Sequence, residues 1–198
     1  MVGLQRCRAG NNREKGPRRL VLIVVGICLY HGGVSNVIRL RLTDRIFFVT
    51  VCLHLSVKHF AAREYPIVLQ AFEDARRRLG FVICSYMIMP DHWHALIWPP
   101  PPLTISTSIQ QMKFIAARRL NQHRGTKGTV WVHQFWDRFV RSKRELERRM
   151  ECLEFNPVRK GLVSRPEDWV WSSFSHHRGA EAPILRVEDI QLPDNYRA

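Results

Sequence analysis

From Val37 onward the apolar positions fall into blocks whose period switches between that of a strand and that of a helix. The run Arg45 to Leu55, RIFFVTVCLHL, is dense in β-branched and aromatic residues and predicts a central strand. From Glu64 to Leu79 the residues Ile67, Val68, Ala71, Phe72, Ala75 and Leu79 recur at helical spacing, which turns Arg76, Arg77 and Arg78 largely outwards. Gly80 predicts the cap that ends this helix. Phe81 to Met89 predicts a second strand, Pro90 and Asp91 a turn, and His92 to Trp98 a third strand folded back as a hairpin. The tetraproline Pro99 to Pro102 cannot continue a ladder and predicts an extended connector. A second helix is expected over Ser108 to His123, and a fourth strand or strand-like segment over Trp131 to Arg141. A charged helix follows from Ser142 to about Phe155, ending there because Asn156 precedes Pro157.

The order β-α-β-β-α-β with further helix predicts an α+β fold, a ferredoxin-like antiparallel sheet with helices packed on it. With 198 residues there is room for one well-buried domain, expected over residues 36–178, with an arm at either end. Residues 179–198 read as a C-terminal tail, onto which Trp169 and Trp171 border as a clamp. Residues 1–35 differ from the rest: six Arg and Lys precede the apolar run Leu20 to Tyr30. Basic residues before a short apolar run resemble a secretory leader. The run is shorter than the roughly 20 residues needed to span a bilayer, and His31, Gly32 and Gly33 follow it in place of a clean cleavage site. It is therefore read as an extra strand or a loosely attached extension, with no membrane partner.

Charge adds a partner class. There are 31 Lys and Arg against 17 Asp and Glu, a formal net charge of +14, and such an excess concentrates polyanions, of which nucleic acid is the commonest inside cells. The basic residues considered for phosphate contact are Arg76, Arg77, Arg78, Lys113, Arg118, Arg119, Arg138, Arg141, Lys143, Arg144, Arg159 and Lys160. The alternative for any one of them is a solvated side chain. Trp131 and Trp136 are candidates to stack on unpaired bases, with core packing as the competing role. The five cysteines show no C-x-x-C spacing and no disulfide framework, which suits a cytoplasmic location.

The chemistry centres on PDHWH, residues 90–94. Strand side chains alternate, so His92 and His94 share one face while Trp93 enters the opposite layer. Two imidazoles so placed can grip one cation, although histidines hydrogen-bonded to their neighbours would give the same pattern. The helix ending at Pro157 offers Cys152 and Asn156 at i, i+4 on one face. If that face lies over the sheet, an amide oxygen with two imidazoles suits a divalent metal, Mg or Mn, with open positions for phosphate oxygens. Asn156 as a plain helix-terminating residue is the alternative.

MPDHWHAL, QFWDRFVR and EFNPVRKGLVSRPEDWVWSSF together closely resemble the REP-associated tyrosine transposases, relatives of the HUH single-tyrosine transposases, over roughly Val37 to His177. The resemblance implies an HUH scaffold that handles single-stranded, hairpin-bearing DNA, with a divalent metal and a tyrosine that attacks the phosphodiester. It also implies a protein that commonly forms a homodimer. Carried over, His92 and His94 match the histidine pair and Asn156 the polar ligand of the helix. The family tyrosine sits four residues before that Asn, where this chain has Cys152. A thiol is shorter than a phenol and does not substitute for it simply. Three readings of Cys152 follow: an inactive relative that still binds DNA, a sulfur ligand in a zinc centre, or an inert thiol beside another nucleophile such as metal-bound water. Two rival functions stand beside transposition, a non-catalytic DNA-binding module and an RNA-binding sheet whose histidines bind nothing.

Overall fold

The computed structural model describes residues 45–178 and 184–188, together with the backbone of 23–24 and 27–28. The chain divides into two compact units, residues 1–35 and 36–198. In the first, β1 (Ile23–Val24) and β2 (Ile27–Cys28) pair antiparallel within the apolar run. The rest of that run, and the leader or anchor weighed for it, lie outside the described residues. Among the described residues no helix is long and apolar enough to cross a membrane.

The second unit runs β3 (Phe47–Cys52), α1 (Tyr65–Leu79), β4 (Val82–Ile88), β5 (His92–Trp98), α2 (Ile105–Arg124), β6 (Trp136–Phe139) and α3 (Lys143–Glu154). Two short helical turns, α4 (Asn156–Arg159) and α5 (Phe174–His177), follow. The strands form one antiparallel sheet in the order β4-β5-β3-β6, the ferredoxin-like arrangement expected from the element order.

Alternation along the strands makes two layers. Phe47, Val49, Val51, Tyr86, Ile88, Trp93, Ala95 and Ile97 turn to one side and bury against Val68, Ala71, Phe72 and Ala75 of α1 and Ile109, Met112 and Ala116 of α2. The Phe72 and Trp93 rings meet at 4.7 Å, inclined by 60°, an edge contact that stabilises beyond its buried area. On the other side Phe48, Met87, Leu96 and Met89 form a smaller layer under Leu146, Met150 and Leu153 of α3. The helix that carries Cys152 thus lies over the histidine face of the sheet.

The helix end that the sequence marked with glycine is capped as expected: Gly80 closes α1 at φ 76° and donates to the Arg76 carbonyl. α2 starts earlier than expected, at Ile105, because Thr104 accepts from the Thr107 amide and caps it. Ser142 caps α3 through Glu145 N–H at 3.1 Å, and the Glu145 carboxylate returns to Arg141 N–H at 3.0 Å. The edge of β4 is sealed by the chain itself: Trp171 and Tyr86 carbonyls accept from Ile88 and Ser173 amides, and Glu188 N–H donates to the Ile83 carbonyl.

Three expectations need correction. The fourth strand is confined to Trp136–Phe139, paired with Phe47–Thr50 of β3; upstream, Trp131 makes a single bridge to Leu53 and Val132 N–H donates to the Cys52 carbonyl. In the segment 184–188, Leu185 and Val187 are buried in the main core. Arg76 does not face outwards: its side chain is 12% exposed, held by Glu73 at 2.9 Å and Glu188 at 2.6 Å. The charged helix breaks at Phe155 (φ −90°, ψ 1°), and Asn156 opens the new turn α4 with Pro157 behind it, so Cys152 and Asn156 do not share one regular helix.

Candidate metal centre

β5 places His92 and His94 on the α3 side of the sheet, opposite Cys52 and Thr50 of β3. The two rings stand 4.7 Å apart and nearly perpendicular, at 77°. Each is tied by its Nδ1 atom to a different partner. His92 Nδ1 lies 2.6 Å from Asp91 Oδ1, and His94 Nδ1 lies 2.8 Å from Thr50 Oγ1. With Nδ1–H donated to these oxygens, Nε2 of each ring is left as the ligating nitrogen, the arrangement by which carboxylates and hydroxyls orient metal-binding imidazoles.

Electrostatics fit that role. Burial above all, then the neighbouring charges of His92 and Lys160, push the His94 imidazole well below its ordinary range, so the ring is neutral at pH 7. Burial alone would raise the Asp91 carboxyl, but the hydrogen bond and charge of His92 outweigh it and hold Asp91 below the ordinary carboxylate range. The Pro90-Asp91 turn is fixed by its backbone, with Asp91 and Pro90 carbonyls accepting from Leu53 and Phe60 amides at 2.8 Å each.

The ring spacing can be tested against a shared cation. Metal–nitrogen bonds of about 2.1 Å put the ion about 3.2 Å from each ring centre, and coordination angles of about 90–109° then set the centres about 4.5–5.2 Å apart. The observed 4.7 Å falls within that interval. Among the described residues no group of three His, Cys, Asp or Glu side chains is gathered for a metal. Asn156 is half-buried at the start of α4. Lys160, one turn further on and therefore on the same side, is near enough for its charge to act on His94.

The described tyrosines do not reach this face. Tyr86 pairs with Ala95, puts its ring among the α1 and α2 contacts, and is 3% exposed; burial pushes its hydroxyl up to about 12. The turn at Pro90 breaks the alternation between the strands, so Tyr86 stands beside Ala95 and Met87 beside His94. Tyr65 stacks on Trp171 at 5.0 Å in the same apolar layer. Tyr30 and Tyr196 lie outside the described residues. Cys152 is half-buried on α3, its carbonyl accepting from Arg159 Nη1 at 3.3 Å.

The basic residues divide between the two layers. Arg76, Arg77, Lys113, Arg118 and Arg119 are on α1 and α2, behind the sheet. There Arg77 pairs with Glu73, Arg119 with Asp74, and Lys113 Nζ donates to the Val132 and His133 carbonyls. Arg118 is exposed. Arg138, aligned with Phe48, is on the histidine face, and Lys160 is near it; Arg141 covers the Phe139 ring at 5.4 Å. Trp131 is buried with its indole N–H on the Lys113 carbonyl, whereas Trp136 is 36% exposed and meets Phe48 edge-on at 5.8 Å. Thr50 was missed, since its contact spans 44 residues and follows only from the register; Asp91 had a signal, a carboxylate adjoining His92 in a turn.

The family model described as Transposase IS200 like matches residues 49–144, a span that takes in both histidines and ends before Cys152 and Asn156. A Haemophilus influenzae relative is 25% identical over 149 residues, covering 70% of this chain and 84% of its own. The REP-associated tyrosine transposase of Escherichia coli K12 is 25% identical over 144 residues, 72% of this chain and 82% of that one. A solved REP-associated tyrosine transposase bound to a REP hairpin superposes with a TM-score of 0.64 at 22% identity, covering 83% of this chain and 98% of the other. The chain is thus similar to the IS200-like transposases over residues 49–144, and to REP-associated tyrosine transposases over about 70% of its length.

Proposed function

We propose that the protein binds single-stranded, hairpin-bearing DNA and holds a divalent cation, Mg or Mn, at His92, His94 and Asn156 beside the DNA backbone. The observation that carries this reading is the pair of imidazoles with both Nδ1 atoms tied, to Asp91 and Thr50, on the face of the sheet covered by α3. A bound cation would draw charge from a phosphodiester oxygen and make its phosphorus more open to attack. The chain's own residues orient the two rings, keep His94 neutral, and supply positive charge from Lys160. Cys152 stands where the family nucleophile is expected, and with Tyr65 and Tyr86 on the opposite layer no described tyrosine replaces it. The reading is therefore of a DNA-binding transposase relative that has lost strand cleavage, in a protein whose relative was solved with a REP hairpin.

The test is incubation of wild type and Cys152→Tyr with hairpin-flanked single-stranded DNA and Mn, followed by a denaturing gel. Both proteins are expected to retard the DNA on a native gel, and only the tyrosine variant to form a covalent adduct. An adduct with wild type overturns the loss of cleavage. Absence of DNA retardation by both overturns the reading as a whole.

A further inference from the structure

Arg149 projects from the side of α3 that lies on the histidine face, one turn ahead of Leu153. Its guanidinium carbon stands 5.0 Å above the Phe48 ring, and Phe48 in turn stacks on His94 at 5.5 Å with the planes inclined by 22°. The Phe48 ring thus carries a guanidinium on the histidine face of the sheet. The guanidinium is poorly satisfied. Nε is buried without a hydrogen-bond partner, and the one carboxylate in reach, Glu145, lies 3.4 Å from Nη2. Glu145 is already engaged in capping α3, through its other oxygen and the Arg141 amide. On the far side of the sheet Arg76 and Arg124 meet carboxylates at 2.6–2.9 Å, although Arg119 there also has one buried nitrogen without a partner. A buried charged donor left unmade costs more than a neutral one, and a guanidinium offers a planar fork of donors that matches two oxygens of one phosphate.

Building on the DNA-binding reading above, we infer that Arg149 binds a phosphodiester of single-stranded DNA at the linkage lying against the histidine pair. Phe48 positions the guanidinium, and its terminal nitrogens supply the donors. The contact is to the backbone, so it adds affinity without base preference.

The experiment measures binding of a fluorescent hairpin-flanked single strand by anisotropy between 50 and 200 mM salt, for wild type and Arg149→Gln, with circular dichroism melting of each. One phosphate contact to a single strand contributes about 0.7 to the slope of log affinity against log salt. The glutamine variant should lose about that much slope and bind about ten-fold or more weakly. A scan with single neutral methylphosphonate linkages should find one linkage whose substitution weakens wild type but not the variant. A variant that melts like wild type and keeps its slope and full linkage profile overturns the inference. If Arg149→Gln does not fold, Arg149→Lys decides it: charge retained with loss of the linkage-specific effect supports the fork, and an unchanged profile overturns it. Wild type that shows no salt-dependent binding at all defeats the DNA-binding reading itself, an outcome separable from failure at Arg149.

Discussion

Asp91→Ala isolates the orientation of one ring. The carboxylate stands 2.6 Å from His92 Nδ1, with the two side chains only 27% and 14% exposed, so water cannot fully replace it. Losing an outer partner of this kind typically weakens metal binding 10–100-fold, or about 1.4–2.7 kcal/mol. The short contact and the partial burial favour the upper half of that interval. Folding should suffer less, by about 1–2 kcal/mol, since the Pro90-Asp91 turn is also held by its backbone hydrogen bonds. Titration with Mn(II), following the electron paramagnetic resonance signal of the free ion, gives the affinity, and urea unfolding gives the stability. His92→Ala serves as the reference for complete loss of one ligand. If Asp91→Ala binds Mn(II) as wild type does while His92→Ala does not, Asp91 does not orient the ring; if neither variant nor His94→Ala alters binding, the cation sits elsewhere.

Two further outcomes follow from the same geometry. The unfolded chain binds a proton at His94 near its ordinary value while the folded chain resists it, so stability is full above about pH 6.5 and falls as pH drops toward the folded value, by up to about 1.4 kcal/mol per pH unit; urea midpoints at pH 7.5 and 5.5 should differ in wild type and differ less in His94→Gln. Glu73→Gln takes the carboxylate from Arg76, Arg77 and the Arg186 amide in one step; with Glu188 still holding Arg76, about 2 kcal/mol of stability should be lost in urea without change in Mn(II) affinity, and an unaltered midpoint would count against Glu73 as the hub.

How far the sequence could be read depended on the range of the interaction. Alternation alone put His92 and His94 on one side of β5 and Trp93 on the other, because period two needs no knowledge of neighbours. Alternation does not carry across the turn at Pro90, where Tyr86 falls beside Ala95. Aromatic density marked Trp131 to Arg141 as a strand, yet regular pairing with β3 holds only over Trp136–Phe139. Proline at 157 signalled the end of α3 at about Phe155, where it falls, but not that Asn156 begins a further turn. Least visible were the acids that occupy basic residues: Asp74 with Arg119 and Glu64 with Arg124 join α1 to α2 over 45 and 60 residues. Counting charges saw an excess and could not see which of them were already matched.

The covering of the histidine layer bears on how the protein can be divided for expression. A fragment trimmed to residues 49–144, the span of the family match, would stop at the second residue of α3. It would leave Met87, Met89 and Leu96 bare to water and strip the β4 edge of residues 171–173 and 188, inviting strand-to-strand aggregation. Soluble fragments should therefore keep the chain at least through Glu188, with any purification tag beyond it.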